Sequence, residues 1–487
     1  MKNRKTTAVL CFILLLCTAA SSCGDTAEEK TQSGTGDSAV VTETETEEAT
    51  ALSTLPVEDY NEYVFRVLHD NQEDQQVDIE TDGKETGDVL NDIVFRRNCL
   101  IEETYNITIE AFNADGDEIN STIQKQVKAG LTDYDLYFQN CKAISVAVGG
   151  YLYNLYELPN LDLSNPWWDE ASVEGLSIGE TAYIATGDIS PTSLMMSSCL
   201  TFNKTLFSQN DIEYPYDMVR EGTWTLDKMV QMTKELSRDV NGDGKMTYGE
   251  DLFGYSSWYW DSSYALFYGA GGMLSEKNAE NIPVVSYDFD RISAIYEDMY
   301  QLVVENESYF VTDGDIYPQA YSCFTSGNAY FCDAMFFKID RYFRDMEDDF
   351  GIIPYPKYDE SQENYITCVN TAGNFIIVPS NTENAERTGL ITEALAAAAY
   401  DSITPSLYDI IIKGRNTRDE DSSEMVDLII SNRVFDLHYI NRIKGYNFAQ
   451  TLLEKQSKDV VSSLSKTKEK AEKEMQQMVD AYLDSQT

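Results

Sequence analysis

A chain of 487 residues, 43% of them hydrophobic, can bury enough apolar surface for two packed lobes. Its 83 Asp and Glu against 36 Lys and Arg give a net charge of −47, which excludes nucleic acid, whose phosphates demand clustered cations. The same average argues against anionic solutes unless a local basic pocket overrides it, and favours neutral or cationic ones.

In chain order, Lys2, Arg4 and Lys5 precede an apolar run from Ala8 to Cys17 and then Ala20-Ser21-Ser22-Cys23-Gly24. The run has signal-peptide length and is too short for a permanent membrane span. The segment resembles a bacterial lipoprotein signal, in which the cysteine is lipid-modified, although Ala20 stands where that family usually has leucine. The alternative is a secretory signal cleaved near Ser22. Residues 1–22 are therefore expected to be a signal peptide and Cys23 a lipid site, placing the protein outside the cytoplasmic membrane and anchored to it. From Gly24 to Asp59 there is no aromatic residue, and Thr, Glu, Ser, Ala and Gly dominate. Such a stretch cannot offset its chain entropy by burial, which predicts a disordered acidic tether over 23–59.

Beyond it, Tyr63-Val-Phe-Arg-Val-Leu68 alternates as a strand, and Asp88 to Tyr105 carries helical spacing through Val89, Ile93, Leu100 and Ile101. Ile107 to Phe112 reads as a strand, Glu118 to Ala129 as a helix and Tyr134 to Phe138 as a third strand. This alternation predicts a parallel sheet covered by helices, with ligands collecting at the carboxyl ends of its strands, His69-Asp70-Asn71 and Gln139-Asn140. Six cysteines remain beyond Cys23: Cys99, Cys141, Cys199, Cys323, Cys332 and Cys368. Their apolar contexts favour free thiols over disulfides. With only His69 and His438, a His-rich metal site or a catalytic triad has little to draw on.

Leu200-Thr-Phe-Asn-Lys-Thr-Leu-Phe207, Gly222-Thr-Trp-Thr-Leu-Asp-Lys228, Phe324-Thr-Ser-Gly-Asn-Ala329, Phe350-Gly-Ile-Ile-Pro-Tyr-Pro356 and Thr371 to Pro379 follow in order. This series resembles the extracellular solute-binding proteins of ABC importers, in the group related to maltose-binding protein. The resemblance implies an α/β, two-lobed periplasmic-binding-protein-like fold of type II, each lobe a mainly parallel sheet flanked by helices, joined by a hinge. Lobe 1 is expected over 60–197 and about 333–400, lobe 2 over 198–332 and about 401–487. Leu464, Lys468, Ala471, Met475, Met478 and Tyr482 form a helical stripe, read as a terminal helix packed on the second lobe.

Asp239-Val-Asn241-Gly-Asp243-Gly244-Lys245-Met-Thr247-Tyr-Gly-Glu250 matches the EF-hand loop pattern at every specified position. Alternate oxygens from Asp239, Asn241 and Asp243, the Lys245 carbonyl and Glu250 are the expected ligands of a structural calcium ion.

Sugars offer C–H faces to aromatic rings and hydroxyls to planar polar groups. Trp167 and Trp168 in one segment, and Trp258 and Trp260 in another, are the expected ligand platforms. Asp188, Asn140, Asn370 and Tyr439 are weaker polar candidates, and Trp224 reads as packing. The expectation is a non-enzymatic, monomeric receptor that captures a small neutral solute, foremost an oligosaccharide, and delivers it to an ABC permease. An exported carbohydrate-active enzyme and a surface sensor or adhesin on the same scaffold are the competing classes.

Overall fold

The computed structural model describes residues 50–72, 77–413 and 420–484. The expected signal peptide, Cys23 and the tether up to residue 49 lie outside them. Residues 50–59, expected to end the tether, are instead attached to the body. The Ala51 amide donates to Asp401 Oδ2 at 2.7 Å, and the Pro56 carbonyl accepts from the Tyr105 hydroxyl at 3.1 Å. Leu52 and Leu55 pack against a buried cluster, so apolar contact outweighs the polar composition there.

Two sheets organise the rest. The first runs Phe375–Ile377, Leu136–Gln139, Tyr63–Asp70, Ile107–Ala114, with Tyr63–Asp70 parallel to both neighbours and Phe375–Ile377 antiparallel. Its helices begin and end where local chemistry dictates. Asp88 caps Val89–Tyr105 by accepting from the Asn91 amide, and Asn106, at φ +50°, ends it in the left-handed conformation that asparagine tolerates. Asp115 and Gly130 bracket Gly116–Ala129 in the same way.

The second sheet runs Phe350–Ile353, Ser198–Asn203, Ala329–Met335, Phe253–Trp258, Tyr309–Val311. Its first two pairings are antiparallel and its last two parallel, so it is mixed rather than mainly parallel. Ser198–Asn203 enters from the first sheet's side and runs against Ala329–Met335, which follows an ordinary parallel crossover. Phe350–Ile353 pairs with the second sheet and Phe375–Ile377 with the first. The chain thus returns to the first sheet only after residue 353, later than the expected boundary near 333.

Two chain segments connect the sheets side by side. Ser197 and Val369 form an antiparallel bridge, and the Asn370 amide donates to the Met196 carbonyl at 3.1 Å. Both are pinned by one buried carboxylate, Asp78. It accepts from the Thr192 amide at 2.8 Å, Ser190 Oγ at 3.1 Å and Asn374 Nδ2 at 2.7 Å. Arg97 is buried beside it, with Nη2 donating to the Asp78 carbonyl at 2.7 Å.

After the return strand, Ala385–Lys413 packs along Val89–Tyr105. The terminal helix Val460–Asp484 packs on Pro283–Val285 and Phe289–Tyr300 beside the second sheet. It also touches Ile144–Val148 beside the first. Its stripe is buried as expected at Leu464, Ala471, Met475, Met478 and Tyr482. All six cysteines are free thiols. No helix among the described residues is long and apolar enough to cross a membrane.

Candidate functional site

The carboxyl ends of the first sheet's parallel strands carry Asp70 and the pair Gln139-Asn140, as the alternation pattern required. Asn140 donates from Nδ2 to Asp70 Oδ2 at 3.3 Å, and its Oδ1 caps the turn that follows by accepting from the Lys142 amide at 3.0 Å. Burial raises the Asp70 pKa, against the pull of the Gln72 amide and the Lys142 ammonium. A Cβ on Gly116 would lie 2.7 Å from Asp70 Oδ2 and 2.8 Å from Lys142 Cδ, so a larger residue at the start of this helix would displace both side chains.

Thr371 joins this corner to the second wall. Its carbonyl accepts from the Cys141 amide at 3.2 Å, and its hydroxyl accepts from Arg442 Nη2 at 3.1 Å. The Arg442 guanidinium lies 5.7 Å from the centre of the Trp260 ring. Next to Thr371, Asn370 donates to the Tyr264 hydroxyl at 2.7 Å, and Tyr264 stacks on Tyr439 with ring centres 4.8 Å apart. Trp260, Tyr264, Tyr439, Tyr446 and Asn447 line a slot between Tyr259–Gly269 and Phe448–Glu454. Its free volume is about 20 Å³, room for water but not for a sugar ring, so a ring enters only if the walls part.

A third group sits at the carboxyl ends of Phe253–Trp258 and Ala329–Met335. Asp261 and Asp333 are buried together with Lys338. Asp261 accepts from the Tyr321 hydroxyl at 2.9 Å and Asp333 from the Trp258 amide at 3.1 Å. The Lys338 ammonium lies 4.8 Å from the Tyr317 ring centre and 5.7 Å from that of Trp258. Burial raises the pKa of both aspartates, and mutual repulsion adds to the rise at Asp333. This charged cluster fixes Trp258 from beneath.

The expected residues therefore divide. Asn140, Asn370, Tyr439 and Trp260 converge on the Thr371 joint. Trp260 lies in the first turn of a helix rather than in the expected loop, and Trp258 ends the strand before it. Trp167 and Trp168 lie away from the joint and, with Asp188, line a separate pocket of about 90 Å³. Both are buried, and their indole Nε1 atoms donate at 2.9 Å to the two oxygens of Glu393, which also accepts from Asn165 Nδ2 at 2.7 Å. Two adjacent indoles could reach one carboxylate only after the Ala385–Lys413 helix had docked. Asp188 is also displaced from the joint, held by the Thr404 hydroxyl in a polar pocket with Arg433. Trp224 is packing, stacked on Phe331 and donating to the Pro354 carbonyl at 3.1 Å.

Thr371 and Arg442 escaped the sequence reading. The available signal was a local reversal of charge, because no Asp or Glu occurs between Asp436 and Glu454 while Arg442 and Lys444 do.

In the loop expected to bind calcium, Asp239 accepts from the Gly242 and Gly244 amides at 2.7 and 2.8 Å, and Asp243 Oδ1 from the Lys245 amide at 2.9 Å. Gly244 takes φ +80°, as the tight turn demands. Glu250 Oε2 accepts from Asn241 Nδ2 at 2.8 Å. Among the described residues, no three His, Cys, Asp or Glu side chains are gathered closely enough to hold a metal ion.

Two outcomes follow from the displaced residues. Trp167→Phe removes one indole donor from a buried carboxylate and should lower stability in urea by about 1.5–3 kcal/mol, with ligand affinity unchanged; an affinity loss without a stability loss would restore Trp167 as a platform. Burial pushes Asp188 up to about 6. A carboxyl raised on folding contributes stability that is present below about pH 4 and lost as pH rises through about 6. Asp188→Asn should therefore flatten the stability profile over that window, by up to about 3 kcal/mol. An unaltered profile would show that Asp188 titrates normally.

A family description of bacterial extracellular solute-binding proteins matches residues 101–400. Solved structures share the fold at low identity. M. tuberculosis UspC is 12% identical, with 84% of this chain and 99% of that one covered and a TM-score of 0.57. An ABC transporter solute-binding protein from Thermotoga lettingae, bound with α-D-tagatose, is 13% identical over 85% and 100%, with a TM-score of 0.55. An ABC substrate-binding protein from Listeria monocytogenes, in complex with cycloalternan, is 13% identical over 85% and 99%, with a TM-score of 0.54. No curated protein matches the chain by sequence. With the match spanning more than half its length and two sheets joined by paired crossovers, the chain belongs to the bacterial extracellular solute-binding proteins.

Proposed function

We propose that this protein is a lipid-anchored, monomeric receptor that captures a sugar, foremost an oligosaccharide, between its lobes and presents it to an ABC permease. The observation that carries the reading is the Thr371 joint, where a polar corner at the carboxyl ends of one sheet meets Trp260 and the Tyr264–Tyr439 stack. Polar atoms on one side and ring faces on the other suit a solute with hydroxyls at its edge and C–H groups on its face. Sugars bound by proteins of the same fold support this choice. Capture works as a population shift: a solute touching both walls favours the arrangement in which they meet. No bond is broken, and no activated group is called upon.

Thermal unfolding across neutral and charged oligosaccharides tests this, since a ligand that binds only the folded state raises the melting temperature by mass action. One glycan class should give a shift, and Trp260→Ala should abolish it while leaving the unliganded melting temperature close to that of the parent. A shift with peptides alone would overturn the sugar reading.

We also propose that the 239–250 loop takes calcium in a structural role. The motif spacing and the loop's own amide bonds to Asp239 and Asp243 support it, and Glu250 would have to leave Asn241 to complete the ligand set. For a dissociation constant of about 10⁻⁴ M, calcium at a hundredfold excess should stabilise the fold by about 2.7 kcal/mol. An identical melting temperature in millimolar calcium and in chelator would remove the ion from the account.

A further inference from the structure

Arg442 departs from the prevailing charge pattern of this chain. Acids outnumber bases by 83 to 36, and several guanidiniums lie against carboxylates, among them Arg96 on Glu85, Arg220 on Asp421 and Glu424, Arg387 on Asp135 and Arg433 on Asp169, while the buried Arg97 is held by neutral oxygens. Arg442 is exposed, and among the described residues no carboxylate lies within ion-pair reach of it. Its one side-chain hydrogen bond is to the Thr371 hydroxyl, which orients the guanidinium and leaves its other guanidinium N–H groups free. Its backbone stands at φ +49°, closing the turn after Leu437–Ile440, where the Ile443 amide donates to the His438 carbonyl at 2.9 Å.

The surroundings fit an anion with a ring attached. The guanidinium is 5.7 Å from the ring centre of Trp260, which lines the aromatic slot together with Tyr446. No acidic residue occurs between Asp436 and Glu454, so the segment bearing Arg442 itself carries only cations, with Glu474 of the terminal helix accepting from the Lys444 amide beside it. A guanidinium matches a carboxylate through two parallel N–H···O bonds, and the strongly acidic remainder of the surface would repel any anion placed elsewhere.

Resting on the sugar-binding reading above, we propose that the solute is an acidic glycan. A uronic acid residue docks its carboxylate on Arg442 and its ring on Trp260. The neutral solute implied by average charge is replaced by an anionic one, because binding responds to the charge at the site rather than to the sum over the chain.

The test is titration calorimetry on the full chain with four probes: trigalacturonate, its trimethyl ester, maltotriose and a triglutamate peptide. The acid and its ester share rings and hydroxyls and differ in charge. Trigalacturonate should bind at least about tenfold tighter than the ester at low salt, and the gap should narrow as salt rises. Arg442→Gln should bring the acid down to the ester's affinity, and Arg442→Lys should restore part of the gap; melting curves of both variants report whether they fold. Equal affinity for acid and ester, or a gap that survives Arg442→Gln, would overturn the assignment. Binding of maltotriose with refusal of trigalacturonate would overturn the acidic solute and leave the sugar receptor standing. Binding of triglutamate alone, or of none of the four, would overturn the sugar reading and this proposal with it.

Discussion

One buried carboxylate, Asp78, holds both crossovers between the two sheets. Asp78 takes an amide and a hydroxyl from the outgoing crossover, at Thr192 and Ser190, and a side-chain amide from the returning one, at Asn374. Removing an ionisable group from water is costly, and burial raises the Asp78 pKa even against three donors. Arg97, equally buried, has its own pKa pushed down to about 10 by loss of solvent, with Asp78 opposing that shift. Arg97 holds the Asp78 backbone carbonyl while the carboxyl takes its donors from Thr192, Ser190 and Asn374, so together they tie Val89–Tyr105 to both crossovers. A receptor that works by moving two lobes needs its connecting segments held in register.

From that node the site follows by short steps. The returning crossover that supplies Asn374 also supplies Asn370 and Thr371, four and three residues earlier. Those two residues carry the contacts to Tyr264, Cys141 and Arg442. The geometry of the aromatic slot is therefore coupled to the crossovers through a few hydrogen bonds rather than through a continuous core. Beneath Trp258, the charged group of Asp261, Asp333 and Lys338 serves as a rigid polar base: aromatic rings surround the ammonium, and the carboxylates hold backbone and tyrosine donors. Support of this kind holds the half-buried Trp258 ring at the end of its strand.

The tryptophan pairs show how composition can mislead. Trp167-Trp168 and Trp258-Tyr-Trp260 look alike as aromatic pairs, yet both indoles of the first donate to Glu393, while of the second Trp260 meets the joint and Trp258 lies beside Lys338. What separates them is a carboxylate more than two hundred residues away in sequence, on a helix whose docking no local pattern encodes. The same holds for the charge: net charge is a sum over the chain, whereas the neutral partners of Arg442, Thr371 and Trp260, are set by where the chain places it.

Local order was legible because local physics sets it. Alternation marked Tyr63–Asp70, helical spacing and Asp88 marked Val89–Tyr105, and strand ends placed Asp70 and Asn140 at the edge where solutes collect. These depend on side-chain periods and capping bonds within a few residues. The ordered series of weak motifs carried the family, since each motif reports one segment of the same path. Tertiary structure decided what depends on distant partners: the late return of the chain at Phe375, the sealing of Trp167 and Trp168, the remoteness of Asp188, and the meeting of Thr371 with Arg442. A contact between residues far apart in sequence exists only after the chain has folded, and no period or motif within either segment can announce it.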